Sequence, residues 1–302
     1  MRPESIVPRR ALVALSMAIA TVSAPPPAAN AQALPPVLRA IAVDSTAPVK
    51  IYHPAGTLRI VGWDRDSLVL HGRLPRGVRL FFGGSARGVK FGVEDVVDKS
   101  ESTPVDLVLQ VPRHARLSVK TASAEVRATD VSGWFYSATG TIAISGNATS
   151  VDAETMSGNL SLDVTTPWLR AKTGDGHLLL RGRPQDADAS TIGGTLDIAS
   201  SATVRGRFAS VTGDIRYAGA PPQGSILEFS NHEGAVDFLL PRDAAGVFDL
   251  WTVSGAIENG FTGVRPAASA ARHGDPLHLS FGRDGGHVIV RTFKGPIRLR
   301  PD

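Results

Sequence analysis

Apolar residues fall at every second position through most of this chain. Val105-Asp106-Leu107-Val108-Leu109-Gln110-Val111 and Ala115-Arg116-Leu117-Ser118-Val119-Lys120 alternate with period two, the pattern of strands with one buried face. Strong helical periodicity is missing beyond the N-terminal apolar stretch, and 31 Gly and 21 Pro punctuate the sequence too often for long helices. The predicted class is all-β.

One short phrase interrupts the alternation again and again: Ser-Gly, Thr-Gly or Gly-Gly, then alternating apolar residues. It reads Thr139-Gly140-Thr141-Ile142-Ala143-Ile144, Ser157-Gly158-Asn159-Leu160-Ser161-Leu162, Gly193-Gly194-Thr195-Leu196-Asp197-Ile198, Thr212-Gly213-Asp214-Ile215, Ser254-Gly255-Ala256-Ile257 and Lys294-Gly295-Pro296-Ile297. Gly140, Gly158, Gly176 and Gly194 are spaced by 18 residues, Gly213 follows after 19, and Gly234 and Gly255 after 21 each. Ala124 reads as a first copy without its glycine, and the 40 residues from Gly255 to Gly295 leave room for a degenerate copy around Ser280-Phe281-Gly282.

Such a period predicts stacked units, none stable alone, that share one continuous core. In the unit around Gly158, Val151, Ala153 and Thr155 are expected to face inward before the turn, and Leu160, Leu162 and Val164 after it. The expected architecture is a repeat β-solenoid, or a β-roll-like stack of short strands, with a β-rich N-terminal segment. Glycine recurs because each corner needs either positive φ or a close backbone approach, and the neighbouring Thr and Ser can bond the corner backbone. Residues 34–48 read as a flexible lead-in, 49–120 as an N-terminal β segment continuous with the array, and 121–302 as the array itself.

Residues 1–33 carry the signature of a secretory signal peptide. Arg2, Arg9 and Arg10 precede the apolar run Ala11–Val22, and Ala29-Asn30-Ala31 or Ala31-Gln32-Ala33 supplies a cleavage site. The run is too short to span a bilayer, so no transmembrane segment is expected after cleavage. Export to the periplasm, the cell surface or the medium follows. Removal of three Arg and one Glu lowers the formal charge from +4 to +2. Basic residues are scattered through the strands, which argues against nucleic acid as a partner. With no cysteine, the chain has no disulfide framework, thiolate metal site or lipid-anchor cysteine.

Candidate chemistry is sparse. Asp175-x-His177 could orient an imidazole, but no G-x-S-x-G elbow accompanies it, and a solvated turn is the expectation. His232-Glu233, His273, His278 and His287 follow no metal-ligand spacing. Asp64-x-Asp66 and Asp186-x-Asp188 are acidic pairs without the calcium-binding nonapeptide, although Gly193-Gly194 and Gly285-Gly286 begin like it. Gly83-Gly84-Ser85-Ala86-Arg87-Gly88 lacks the Lys-Ser/Thr ending of a phosphate loop and reads as a hairpin tip, with Phe81-Phe82 as the cap that seals one end of the array. Trp134-Phe135-Tyr136 and Trp168 could form a sugar-binding face, but they recur at no fixed repeat position and are expected in the core or at corners. No catalytic, cofactor-binding or metal residue is assigned, and no cofactor is expected.

The opening Gly56-Thr57-Leu58-Arg59-Ile60-Val61-Gly62-Trp63-Asp64-Arg65-Asp66, the segment Val111-Pro112-Arg113-His114-Ala115-Arg116-Leu117, the reiterated Ser-Gly units and the closing Gly285 to Leu299 together resemble the bacterial putative-adhesin family. Its members are exported β-strand-repeat proteins whose domain has no assigned function. The resemblance covers most of residues 45–300. It implies surface adhesion, with some relatives associated with envelope-stress signalling, and brings no catalytic residues with it. Departures are the lost glycine at Ala124 and the long final interval.

The expectation is a non-enzymatic exported module at the bacterial cell envelope, binding an envelope or cell-surface protein or glycan through outward residues that include Asp163, Arg170, Asp197 and Arg216. The first alternative is a secreted β-helix carbohydrate-active enzyme, which requires acidic residues repeated at one outward position in adjacent repeats. The second is an envelope-stress sensory or regulatory protein.

Overall fold

A computed structural model describes residues 34–96, 102–200, 202–261 and 276–302, so the expected signal peptide, residues 1–33, lies outside the described residues, as does His273. Among the described residues there is no helix. The N-terminal strands are β1 (Val37–Ala42), β2 (Pro48–Tyr52), β3 (Gly56–Trp63), β4 (Ser67–Gly72), β5 (Val78–Ser85), β6 (Gly88–Asp95) and β7 (Val105–Pro112). The middle strands are β8 (Arg116–Thr121), β9 (Glu125–Thr129), β10 (Ser132–Ser137), β11 (Ile142–Asn147), β12 (Val151–Thr155), β13 (Leu160–Thr173), β14 (Leu178–Thr191) and β15 (Leu196–Ile198). Then follow β16 (Arg205–Ser210), β17 (Ile215–Ala218), β18 (Ile226–Asn231), β19 (Val236–Leu240), β20 (Gly246–Thr252), β21 (Ile257–Asn259), β22 (Leu277–Phe281), β23 (Gly286–Thr292) and β24 (Ile297–Pro301).

These strands form two parallel ladders. Ladder A runs β6-β2-β8-β10-β12, through the C-terminal part of β13 and of β14, to β16-β18-β23-β20. Ladder B runs β7-β3-β9-β11, through the N-terminal part of the same two long strands, to β15-β17-β19-β24-β21. Strands joined by a glycine corner, such as β10 and β11, enter different ladders and do not pair with each other. Each pairing step matches the glycine interval: Ile142 pairs with Leu160, Leu160 with Leu178 and Leu178 with Leu196, each 18 residues on. Val151, Ala153, Thr155, Leu160, Leu162 and Val164 are all buried, as the alternation predicts.

Among the described residues, antiparallel strands lie only at the margins. β5 lies along β6, β22 along β20, β4 along β7, and β1 along β4. Covering an edge strand removes a template for pairing with another chain. Phe82 of β5 packs on the core, its ring 6.1 Å from Phe91, whereas the Phe81 ring lies under the Lys90 ammonium. The lead-in 34–48 also contains structure, since β1 falls within it and Val43 and Ala47 are buried.

The expected degenerate copy near Ser280 is not one more pass through the ladders. Leu277–Phe281 is the antiparallel strand β22, and the following pass, β23-β24, inserts between β18-β19 and β20-β21. Gly295 therefore stacks on Gly234, with Gly255 outside it. The 40-residue interval is long enough for the chain to run past β20 and return, so chain order and stacking order part company here.

The corner glycines answer a steric need. None of Gly140, Gly158, Gly176, Gly194, Gly213, Gly234, Gly255 and Gly295 has positive φ. Instead, a Cβ on Gly158, Gly176, Gly194, Gly213, Gly234 or Gly295 would overlap the carbonyl oxygen of the glycine in the adjoining pass, and one on Gly140 would overlap that of Ala124. Close backbone approach, the second of the two expected causes, explains the repeat.

Three residues before each of these glycines stands a buried Thr, Ser or Asn, which closes the corner everywhere but at Gly213, where the buried Ser210 hydroxyl has no hydrogen-bond partner. Thr173, Thr191 and Thr252 Oγ1 accept from the N–H of Gly176, Gly194 and Gly255 at 3.2, 3.1 and 2.9 Å. Ser137 Oγ accepts from Gly140 N–H and Asn231 Oδ1 from Gly234 N–H, whereas the Thr155 and Thr292 hydroxyls donate to the carbonyls of Gly158 and Gly295. Thr191→Val keeps the shape but orphans the buried Gly194 N–H, and is expected to cost about 1–2 kcal/mol. A lowered urea midpoint at unchanged m-value checks this; an unchanged midpoint shows that the hydroxyl contributes nothing.

Candidate functional site

Outward side chains at one position in successive passes stand about 4.8 Å apart, so their charges interact along the stack. The central outward row of ladder A reads Trp134, Asp152, Arg170, Asp188, Arg207, Glu228. On ladder B the row reads Asp197, Arg216, Asp237, Arg298, Glu258. Signs alternate in both. Arg170 bonds Asp152 at 3.2 Å, and Arg298 lies 3.3 Å from Asp237 and 3.4 Å from Glu258. Alternation lets neighbouring passes attract, whereas a column of like charge would repel. The repeated acidic position that a β-helix glycosidase requires is absent from these two rows.

The four outward residues expected to share a contact face do not share one. Arg170 is on ladder A, whereas Asp163, Asp197 and Arg216 are on ladder B. Long strands β13 and β14 pass through both ladders, so a residue's face depends on its position within the strand.

Other sequence candidates resolve into structural contacts. His177 bonds Asp197 at 2.7 Å, not Asp175, and both His177 and Asp175 are exposed. Asp64 pairs with Arg113 Nε at 2.9 Å, and the same guanidinium meets Asp130 at 2.7 Å. The backbone N–H of Asn147 and the Arg113 guanidinium hold the Asp130 carboxyl below its usual range. Thus the Trp63-Asp64 and Pro112-Arg113 motifs meet at one ion-pair junction. The Gly83–Gly88 segment is the tip of the β5-β6 hairpin. His232 stacks on Phe293, and Glu233 pairs with Lys294 at 2.7 Å.

Two histidines that look scattered in sequence converge. His278 Nδ1 and His287 Nε2 bind the two carboxylate oxygens of Asp249, at 2.5 and 2.6 Å. Burial alone would push the Asp249 carboxyl up, but these hydrogen bonds hold it below its ordinary value. Among the described residues no group of three His, Cys, Asp or Glu is arranged to hold a metal ion. His53, which no motif marks, is fully buried at the end of β2, and burial pushes its pKa down to about 4. Neither of its ring nitrogens has a well-aligned hydrogen-bond partner.

The aromatic residues meet the expectation of core or corner positions only in part. Phe135 is in the core, but Trp134 and Tyr136 project outward from ladder A, stacked at 5.8 Å, and Trp168 is 41% exposed on the same ladder. Tyr52 and Trp251 are exposed there too. The signal was present in the parity: Leu169, Ala171 and Thr173 face inward, which turns Trp168, Arg170 and Lys172 out.

Beside Trp168 lies a groove of about 500 Å³, lined also by Asp186, Asp188, Arg205, Arg207 and Glu228. Trp168 and Ile226 mark its two ends along the row Trp168, Asp186, Arg205, Ile226. Asp186 and Arg205 pair at 2.9 Å, whereas Asp188, Arg207 and Glu228 make no ion pair among the described residues. A smaller groove of about 350 Å³ on ladder B borders Asp197, Arg216 and Asp237, whose row is already linked by ion pairs.

No family model matches the chain, and no curated protein is similar to it. Two solved structures are similar to it at low identity. A putative cell adhesion protein from Clostridium sporogenes ATCC 15579 is 10% identical, with 87% of this chain and 98% of that one covered at a TM-score of 0.22. A putative adhesin from Bacteroides fragilis NCTC 9343 is 9% identical, with 86% and 95% covered at a TM-score of 0.45.

Proposed function

We propose that this chain is an exported, non-catalytic β-solenoid that serves as an interaction module at the bacterial cell envelope, with the outward face of ladder A as its contact surface. Support for the solenoid reading is the 18-residue pairing step together with the column of corner glycines. Support for an N-terminal β segment continuous with the array is the direct pairing of β2 and β3 with β8 and β9. Support for export is the pattern Arg2, Arg9, Arg10, apolar run and A-x-A site. Among the described residues no helix is long and apolar enough to cross a membrane.

The observation that carries the contact surface is that Tyr52, Trp134, Tyr136, Trp168 and Trp251 all face outward along ladder A, with Trp134 and Tyr136 stacked on each other. Aromatic side chains supply large contact area at low conformational cost and are enriched where proteins bind. Their parallel strands are hydrogen-bonded on both sides, which gives the rings a rigid base.

Purified residues 34–302, labelled and titrated onto bacterial envelope fractions and intact cells, are expected to bind saturably. Paired substitution Trp134→Ala and Tyr136→Ala is expected to weaken binding severalfold with little change in thermal midpoint. Failure to bind any envelope fraction or cell surface overturns the reading. Release of reducing ends from envelope polysaccharide by the purified protein overturns its non-catalytic part.

A further inference from the structure

We infer that the groove between Trp168 and Ile226 on ladder A is a binding site for a neutral oligosaccharide. This rests on ladder A being the contact face, and it names the chemistry that the face takes.

The Trp168 ring is exposed but its backbone is fixed. Its N–H donates to Thr166 Oγ1 at 3.3 Å, the Thr166 hydroxyl donates back to the Trp168 carbonyl at 3.1 Å, and the residue pairs in the ladder with Asp186. A pyranose presents an apolar face of C–H groups, and a large indole surface on a fixed backbone packs on such a face at little ordering cost.

Beyond the ring, Asp188, Arg207 and Glu228 stand in consecutive passes with no ion pair among the described residues. Their spacing of about 4.8 Å puts carboxylate acceptors on either side of a guanidinium donor. Sugar hydroxyls both donate and accept, so they can use this alternation, and vicinal pairs suit the forked guanidinium. The row from Trp168 to Ile226 is three pairing steps, or about 14 Å, long enough for a short oligosaccharide. The groove's 500 Å³ falls within the range of ligand clefts.

Charge selects against other ligands. Three carboxylates and two guanidinium groups line the groove, so a phosphate or an acidic sugar meets a net negative charge. An extended peptide finds no strand edge, because the backbone of β13, β14, β16 and β18 is paired on both sides along ladder A.

The test titrates residues 34–302 with maltohexaose, cellohexaose and chitohexaose, read by tryptophan fluorescence and by calorimetry. At least one is expected to bind saturably. Trp168→Ala is expected to weaken that binding at least tenfold and Arg207→Ala severalfold, with the thermal midpoint unchanged for Arg207→Ala, whose side chain is exposed, and only slightly lowered for the 41% exposed Trp168. The inference is overturned if none of the three binds, or if Trp168→Ala binds as the unaltered protein does. Cell binding that survives periodate and is abolished by protease assigns the partner as a protein; it overturns the oligosaccharide and leaves the interaction module standing. Absence of any cell binding, with oligosaccharide binding intact, removes the envelope role and keeps the groove.

Discussion

Gly194→Ala is expected to destabilise the protein by roughly 3 kcal/mol or more, whereas Gly193→Ala, one residue away, is expected to stay within about 1 kcal/mol of the unaltered protein. On Gly194 the new methyl group would overlap the carbonyl of Gly176, a backbone atom held in the stack. Relief requires the two passes to separate, which loosens their ladder bonds and the core beneath. On Gly193 the first atom met is Asp175 Oδ1 at 2.8 Å, the end of an exposed side chain that can swing away. There the smaller entropy of the unfolded chain offsets the contact. Urea unfolding of the two variants at one pH, with Gly83→Ala as a surface control, reads the difference. Equal costs at positions 193 and 194 would show that backbone approach is not why the corner is glycine. Gly83 has nothing within 4 Å of an added Cβ.

Acidification is expected to remove about 3 kcal/mol of stability through His53 alone. This residue is fully buried, and its pKa falls from 6.5 to about 4 because burial penalises the charged ring. The unfolded chain takes up the proton first, near pH 6.5. The contribution of neutral His53 is therefore complete above pH 6.5 and declines as the pH falls from 6.5 toward 4, at about 1.4 kcal/mol per unit. Asp130, Glu233 and Asp249 have lowered pKa values and lose their own contributions at more acidic pH. His53→Leu removes the first effect and leaves the others. The measurement is the unfolding free energy of both proteins at pH 7 and pH 4.5. A smaller acid loss in His53→Leu supports the account, and an equal loss refutes it.

Much of the fold can be read from particular residues. The alternation in Val105–Val111 states which side chains enter the core, and all four apolar odd positions there are buried. Glycine spacing gives the pairing step, because a ladder built from successive passes must repeat at the length of one pass. A hydroxyl or amide three residues ahead of each glycine was an equally regular signal. At every one of these glycines but Gly213, whose Ser210 hydroxyl is unpartnered, it is explained by the same corner, where a buried N–H or carbonyl needs a partner.

The site was less legible. Trp168 could have been assigned outward by parity, but Thr166 is buried and Leu169 is buried, so the alternation slips by one at Pro167. Reading across that slip hides the ring in the core. The pairing of His278 and His287 through Asp249 depends on β22 and β23 flanking β20 on opposite sides, one antiparallel and one parallel. No local spacing announces such an arrangement.

Local chemistry therefore determined the strand class, the inward residues and the need for glycine at the corners, since period-two burial and backbone crowding act over a few residues or over one fixed interval. Tertiary structure decided the order in which passes stack, the ladder to which each outward charge belongs, and the meeting of Trp168 with Asp188, Arg207 and Glu228. Those relations join residues 16 to 68 positions apart. Their cause is the ladder hydrogen bonding between whole passes, which sets side chains from distant sequence positions side by side on one surface.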